Sequence, residues 1–239
     1  MAFSVTLEDV EGAPLRTFQR HGQAFVLGVE GRRYNVRVVN HTGRRLEAVI
    51  AVDGRDAVSG QRVNAVQQRG YIVPAFGSLL VEGFRTSMSE VAAFRFSSPQ
   101  TSFAGRLGAA ESVGLIRVAA FVERQQDAMA RAPASARPAP KRKAAQAGSE
   151  TGESRAGARR DDAGNLGTEF GERHRSRVVE VPFERQKPGR PDRIVTIAYD
   201  DARGLRARGI DVGGHGEDAI ARPLRPQRRS AGRFATPPP

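Results

Sequence analysis

The chain contains neither cysteine nor tryptophan. Without thiols there is no disulfide, no thiolate nucleophile and no cysteine-held zinc or iron–sulfur site, and oxidising and reducing compartments suit the chain equally. Long apolar runs are missing too. The longest patch, VGLIRVAAFV at 113–122, is interrupted by Arg117 and is too short to span a bilayer. The opening MAFSVTLEDV has neither a basic n-region nor an apolar h-region. These absences lead us to expect a soluble protein with no standard signal peptide and no membrane partner, the cytoplasm being favoured. Apolar residues make up 39% of the 239, fewer than one compact domain of that length carries, so part of the chain is expected to stay unfolded.

Charge is abundant, with a net +12, but it is unevenly placed. Residues 131–164 carry eight basic and four acidic side chains and residues 222–239 carry five basic and none acidic, which leaves only +3 for the rest. The stretch 128–164 is rich in Ala, Pro, Gly, Ser and charge, with no aliphatic residue larger than Ala except Met129. Such a composition cannot bury enough surface to offset its ordering entropy and reads as a disordered linker. The expected organisation is a β-sandwich domain at 1–127, the linker at 128–164, a β-hairpin with a short helix at 165–210, and a flexible basic tail at 211–239.

Before the linker the dominant signal is a period of two, the spacing of a half-buried strand. Tyr34, Val36 and Val38 alternate with Asn35 and Arg37; Leu46, Ala48, Ile50 and Val52 share a face against Glu47. Ala92, Phe94 and Phe96 oppose Arg95, and Ile116, Val118, Ala120 and Val122 oppose Arg117 and Glu123. Further strands are expected at 3–7, 15–18, 24–29, 70–73 and 78–84, separated by Gly, Pro, Asn or Asp signals. No segment of this half carries a helical stripe of three turns. Such a density of short strands predicts an all-β fold, an antiparallel β-sandwich or jelly roll.

After the linker, Val179, Val181 and Phe183 alternate with Glu180 and Glu184, QKPGRPD turns the chain, and Val195, Ile197 and Tyr199 alternate in turn. The pattern predicts a β-hairpin, with Pro182 placing its first arm at an edge. A lone hairpin is marginal in water, so these six side chains are the candidate docking face onto a sheet of the N-terminal domain, in the same chain or in a neighbour.

Chemistry is sparse. The four histidines, His21, His41, His174 and His215, show no metal-ligand spacing, and no nucleophile elbow, phosphate loop or dinucleotide turn is present. Asp53-Gly54 at the end of the 46–52 ladder, followed by Asp56, reads as a turn rather than as a paired-carboxylate or calcium site. Asp201 reads as the N-cap of a short helix in DARGLRARGI. No catalytic residue, metal or cofactor is expected. The candidate nucleic-acid contacts are Lys141, Arg142, Lys143, Arg225, Arg228, Arg229 and Arg233, which would neutralise phosphates without reading bases and bind weakly and with strong salt dependence.

RRLEAVIAVDGRDAVSG (44–60), RGYIVPAFGSLLVEGFR (69–85), VAAFRF (91–96), TSFAG (101–105) and NLGTEFGERHRSRVVEVPFER (165–185) resemble an uncharacterised family of bacterial β-rich proteins. The resemblance covers most of the two ordered segments and neither the linker nor the tail. It implies that the two segments belong to one design, and it directs attention to Arg44, Arg45, Gly70, Tyr71, Gly83, Phe84 and Arg85. The function expected from all of this is a non-enzymatic interaction or structural module that offers sheet edges for protein contact or self-association. The alternative is a sequence-blind nucleic-acid binder acting through the arginine-rich tail.

Overall fold

The computed structural model of the chain describes residues 3–110, 113–125 and 164–213. Strands β1 (Phe3–Glu8), β2 (Thr17–Arg20), β3 (Gln23–Leu27), β4 (Arg33–Asn40), β5 (Leu46–Val52), β6 (Arg55–Asp56) and β7 (Tyr71–Val73) come first. They are followed by β8 (Ser78–Val81), β9 (Gly83–Arg85), β10 (Glu90–Ser97), helix α1 (Phe103–Arg106) and β11 (Leu115–Val122). Beyond the linking residues lie β12 (Gly167–Arg175), β13 (Arg193–Asp200) and helix α2 (Ala202–Ala207). The fold is all-β. The expected linker, apart from Gly164, and the expected tail, apart from 211–213, lie outside the described residues.

Two sheets enclose one core. The first runs β1-β4-β10-β12. In it β4 meets β10 only through Tyr34↔Phe94 and Arg33↔Arg95; where the two diverge, β8 pairs with β4 and β9 with β10, filling the gap. The second sheet runs β2-β3-β13-β11-β5-β6, with β7 also on β5. Every strand pairing is antiparallel except one: β13 runs parallel to β3.

The period-two pattern decides which side chains meet. Val36, Val38, Phe94 and Phe96 of the first sheet and Ile50, Val52, Ile116 and Val118 of the second are all buried in the shared core. Tyr199 of β13 reaches across to Tyr34 and Phe96, with ring centroids 6.2 and 5.3 Å away. Each such side chain removed from water contributes on the order of 1.5–3 kcal/mol before entropy is counted. The outer face of the second sheet is also covered. Val49, Ala119 and Phe121 pack under Val63 and Ala65. Phe18, Phe25 and Leu27 pack under Leu205, Ile210 and Val212. The helix that brings Leu205 there is started by Asp201, whose side chain accepts from Gly204 N.

The post-linker segment departs from the expected hairpin. Its two strands do not pair with each other: β12 joins β10 at the edge of the first sheet, and β13 lies between β3 and β11 in the second. Residues 176–184, the expected first arm, cross from one sheet to the other without forming a strand. Pro182 has no N–H to give to a ladder, and a segment that changes sheets cannot follow either one. The six-residue docking face therefore does not exist as a single surface. Ile197 and Tyr199 are buried and Val195 packs against the core, whereas Val179 is 81% exposed, Val181 is 43% exposed, and Phe183 lies beneath the Arg45 guanidinium.

Candidate functional site

The densest polar chemistry lies where the post-linker segment meets the rest of the chain. It forms two knots at opposite ends of β11.

The first knot is built on Asp53. Asp53 and Gly54 form the two-residue turn between β5 and β6, with φ of 51° and 72°, the left-handed geometry that a tight hairpin requires. The turn expected here is present, but the Asp53 side chain does more than close it. It is 2% exposed. Its Oδ1 accepts hydrogen bonds from Gly114 N at 2.9 Å, Leu115 N at 3.3 Å and the Tyr199 hydroxyl at 2.7 Å, and its Oδ2 accepts from Thr168 N at 2.7 Å. The Thr168 hydroxyl lies 2.7 Å from the hydroxyls of both Tyr34 and Tyr199. Since Tyr199 gives its one proton to Asp53, the rest of the chain is directed: Tyr34 donates to Thr168 and Thr168 to Tyr199. Burial pushes the Asp53 carboxyl up to about 7, against the pull of the bonds from Tyr199, Thr168, Leu115 and Gly114. Burial and then the Asp53 charge hold the Tyr34 and Tyr199 hydroxyls well above the usual phenol range. The network joins the β5–β6 turn, the start of β11, β12 and β13, and it is sealed in the core.

The second knot is built on Arg185, just after the crossover. Its Nε donates to Glu47 Oε2 at 2.6 Å, its Nη1 to the carbonyls of Ala65 and Val66 at 3.1 and 2.7 Å, and its Nη2 to Gln68 O. The guanidinium stacks 3.7 Å from the centre of the Phe121 ring. Glu47 is 5% exposed, and its other oxygen accepts from Gly70 N at 2.7 Å. A planar fork with this many matched acceptors and a ring beneath it is a role lysine cannot fill.

Further arginines lie along the crossover. Arg85 donates to Ser176 O at 2.8 Å and to the Tyr71 hydroxyl at 3.3 Å. Arg45 pairs with Glu123 and donates to Pro182 O at 3.2 Å. Arg44 donates to Glu123 O. Glycine is required at two places nearby, since a Cβ would lie 2.3 Å from Ala48 O at Gly70 and 2.0 Å from Ala92 O at Gly83. Of Arg44, Arg45, Gly70, Tyr71, Gly83, Phe84 and Arg85, Arg45 and Arg85 grip the crossover directly. No local pattern distinguishes Arg185 from the neighbouring arginines.

The other candidates are dispersed. Lys141, Arg142, Lys143, Arg225, Arg228, Arg229 and Arg233 lie outside the described residues. Asn40, a potential glycosylation acceptor by its Asn-His-Thr context, is buried, with its amide donating to Arg44 O and Pro74 O. Among the described residues no group of three His, Asp or Glu is placed to hold a metal ion, and no helix is long and apolar enough to cross a membrane. A shallow surface depression beside Arg20, His21 and Asp211 has no Ser, Thr, Cys or Lys in its wall.

The fold and the knots together define a two-sheet β-sandwich in which the strands after the linker are integral to both sheets. Comparison with protein-family models, with curated proteins and with solved structures returns no match, so function is argued from the geometry.

Proposed function

We propose that the protein is a non-enzymatic interaction or structural module that offers a sheet edge for pairing with another protein or with a second copy. The observation that carries this reading is the state of β1. Among the described residues it pairs with β4 on one side only, and Leu15 N reaches its other side at Leu7 O. Backbone groups of alternate residues point to the same side of a strand, so those of Phe3 and Val5 face outward with Leu7's. No charged side chain precedes Glu8 in β1. The opposite edge, β12, ends in Glu172, Arg173 and Arg175, the kind of charge that discourages strand addition. Of the two ends of the first sheet, β1 is therefore the one suited to pairing.

The test is light scattering of the purified chain over a wide concentration range, beside Val5→Pro. The substitution removes an outward N–H without breaking a bond to β4. Association that rises with concentration and is lost in the variant supports edge pairing. A monomer at every concentration, with identical behaviour of the variant, refutes self-pairing.

The second reading, sequence-blind nucleic-acid binding, draws support from the concentration of net charge in 131–164 and 222–239. Deleting 222–239 and measuring duplex affinity at low and moderate salt tests it. Unchanged affinity, or a weak salt slope in the intact protein, counts against phosphate contacts by the tail.

A further inference from the structure

The segment 164–213 makes no strand pairing within itself. Its ladder partners lie before residue 123: β12 on β10, β13 on β3 and β11. The place of β13 is central. On one side Ile197–Asp200 pair with Ala24–Leu27, and on the other Arg193–Ala198 pair with Leu115–Ala120. Take β13 away and β2 and β3 lose the only strand link to β11, β5 and β6 that the described residues provide. A two-stranded hairpin left in that state is marginal in water. The remainder of the chain thus has the form of a receptor with a strand-wide gap, and 164–213 has the form of its ligand. The gap is chemically specific: the apolar residues Val195, Ile197 and Tyr199 face inward, the Asp53 carboxylate waits at one end for a tyrosine hydroxyl and a backbone N–H, and Glu47 waits at the other for a guanidinium.

The connection back to this segment has to span the length of β11. Arg124 N donates to Glu184 O and Gln186 N to Val122 O, which places residue 125 at the far end of β11. Asn165 N donates to Asp200 Oδ1, and Tyr199 N donates to Gly114 O, which places residue 164 at the near end. The two ends are separated by the length of β11, eight residues, or about 25 Å at the rise of a strand. Bridging that in one chain takes at least about eight extended residues.

We infer that the gap between β3 and β11 is a strand-binding site whose ligand is the polypeptide 164–213, and that the site accepts this ligand in trans from a second copy of the chain as well as in cis. This goes beyond the edge-pairing reading, because it concerns the interior of a sheet and stands whether or not β1 pairs with anything. Cis occupation dominates in dilute solution, where the tether keeps the local concentration of the segment high. Trans occupation takes over when the tether is cut or made too short.

Two variants test this. In the first, a specific protease site is placed within 126–163 of the full chain and cut after folding. The two pieces are expected to stay together on size exclusion and to melt as one. Incubated with an isotope-labelled uncut chain, they should form mixed species, faster in mild denaturant. In the second, the linking stretch is shortened to four residues, below what cis closure needs. The expected product is a dimer of twice the mass in which each copy fills the other's gap. Arg185→Ala in the cut protein should weaken retention of the released piece by at least tenfold. Pieces that separate on cutting overturn the inference, and a shortened chain that is monomeric or unfolded overturns occupation in trans. Loss of the Val5→Pro effect would remove the edge-pairing reading and leave this one standing, so the two fail separately.

Discussion

Val195, Ile197 and Tyr199 in β13 and Val179, Val181 and Phe183 in the crossover carry the same alternation of apolar and polar residues, and they meet opposite environments. β13 has a strand on each side, and its inward face closes the core. The crossover runs in no strand: backbone bonds tie its ends, Ser176 N and Val178 N to Ser89 O and Met88 O and Arg124 N to Glu184 O, arginines reach its carbonyls, Arg85 at Ser176 and Arg45 at Pro182, and Val179 stands in solvent. The difference shows that alternation is necessary for a half-buried strand and insufficient to make one. What decides is whether backbone groups on both sides find a ladder. In the crossover, Pro182 and the change of sheet prevent it.

The comparison is broken most severely by putting a charge on the inward face of β13. Ile197→Asp buries an unpaired carboxylate at the centre of the sheet and is expected to cost at least about 4 kcal/mol, enough to leave little folded protein in a circular-dichroism melt. Asp53→Ala comes next. It leaves three backbone N–H groups and the Tyr199 hydroxyl without their acceptor, with an expected loss of about 3–5 kcal/mol by urea denaturation. Asp53 also sets a pH dependence. The folded chain holds its proton at pH values where the unfolded chain has lost it, since burial raises the carboxyl from 3.8 to about 7. The stability it lends is complete below about pH 4 and is lost as the pH rises through about 7. Melts between pH 4 and 8 should show this falling component, and Asp53→Ala should flatten it.

Arg185→Ala removes the partner of the buried Glu47 and is expected to cost about 3 kcal/mol. Arg185→Lys should recover only part of this, because one ammonium cannot reach Glu47 and the Ala65, Val66 and Gln68 carbonyls together. The smallest effect belongs to the crossover: Val179→Asp, at a side chain already in water, should shift stability by less than about 0.5 kcal/mol. A large loss there would mean that Val179 packs against something after all.

Much of the sandwich is legible in the amino-acid order because its central strands turn alternate side chains into the shared core. The side chains named by the alternations in β4, β5, β10 and β11, all but Ala92, lie in that core or against it. The post-linker topology is not legible, for two physical reasons. β12 reads GTEFGERHR, with no sustained alternation, and its pairing with β10 shifts register between Ala92 and Phe94, so the sequence hides a strand that exists. The crossover alternates cleanly and advertises one that does not. The Asp53 knot was half legible: Asp-Gly specifies a turn, whereas its partners at Gly114, Thr168 and Tyr199 are distant in sequence and carry no local mark. Arg185 is hidden in the same way, since its acceptors, the Glu47 carboxylate and the carbonyls of Ala65, Val66 and Gln68, are all distant in sequence.

Native-state hydrogen–deuterium exchange tests the central claim, that β13 is an integral central strand of the sandwich, most directly. The account predicts that amides of Arg193–Asp200 exchange as slowly as those of β11 and β5, with amides 179–184 exchanging far faster. Amides of β13 that exchange as fast as those of the crossover, while β5 and β11 remain protected, would contradict it.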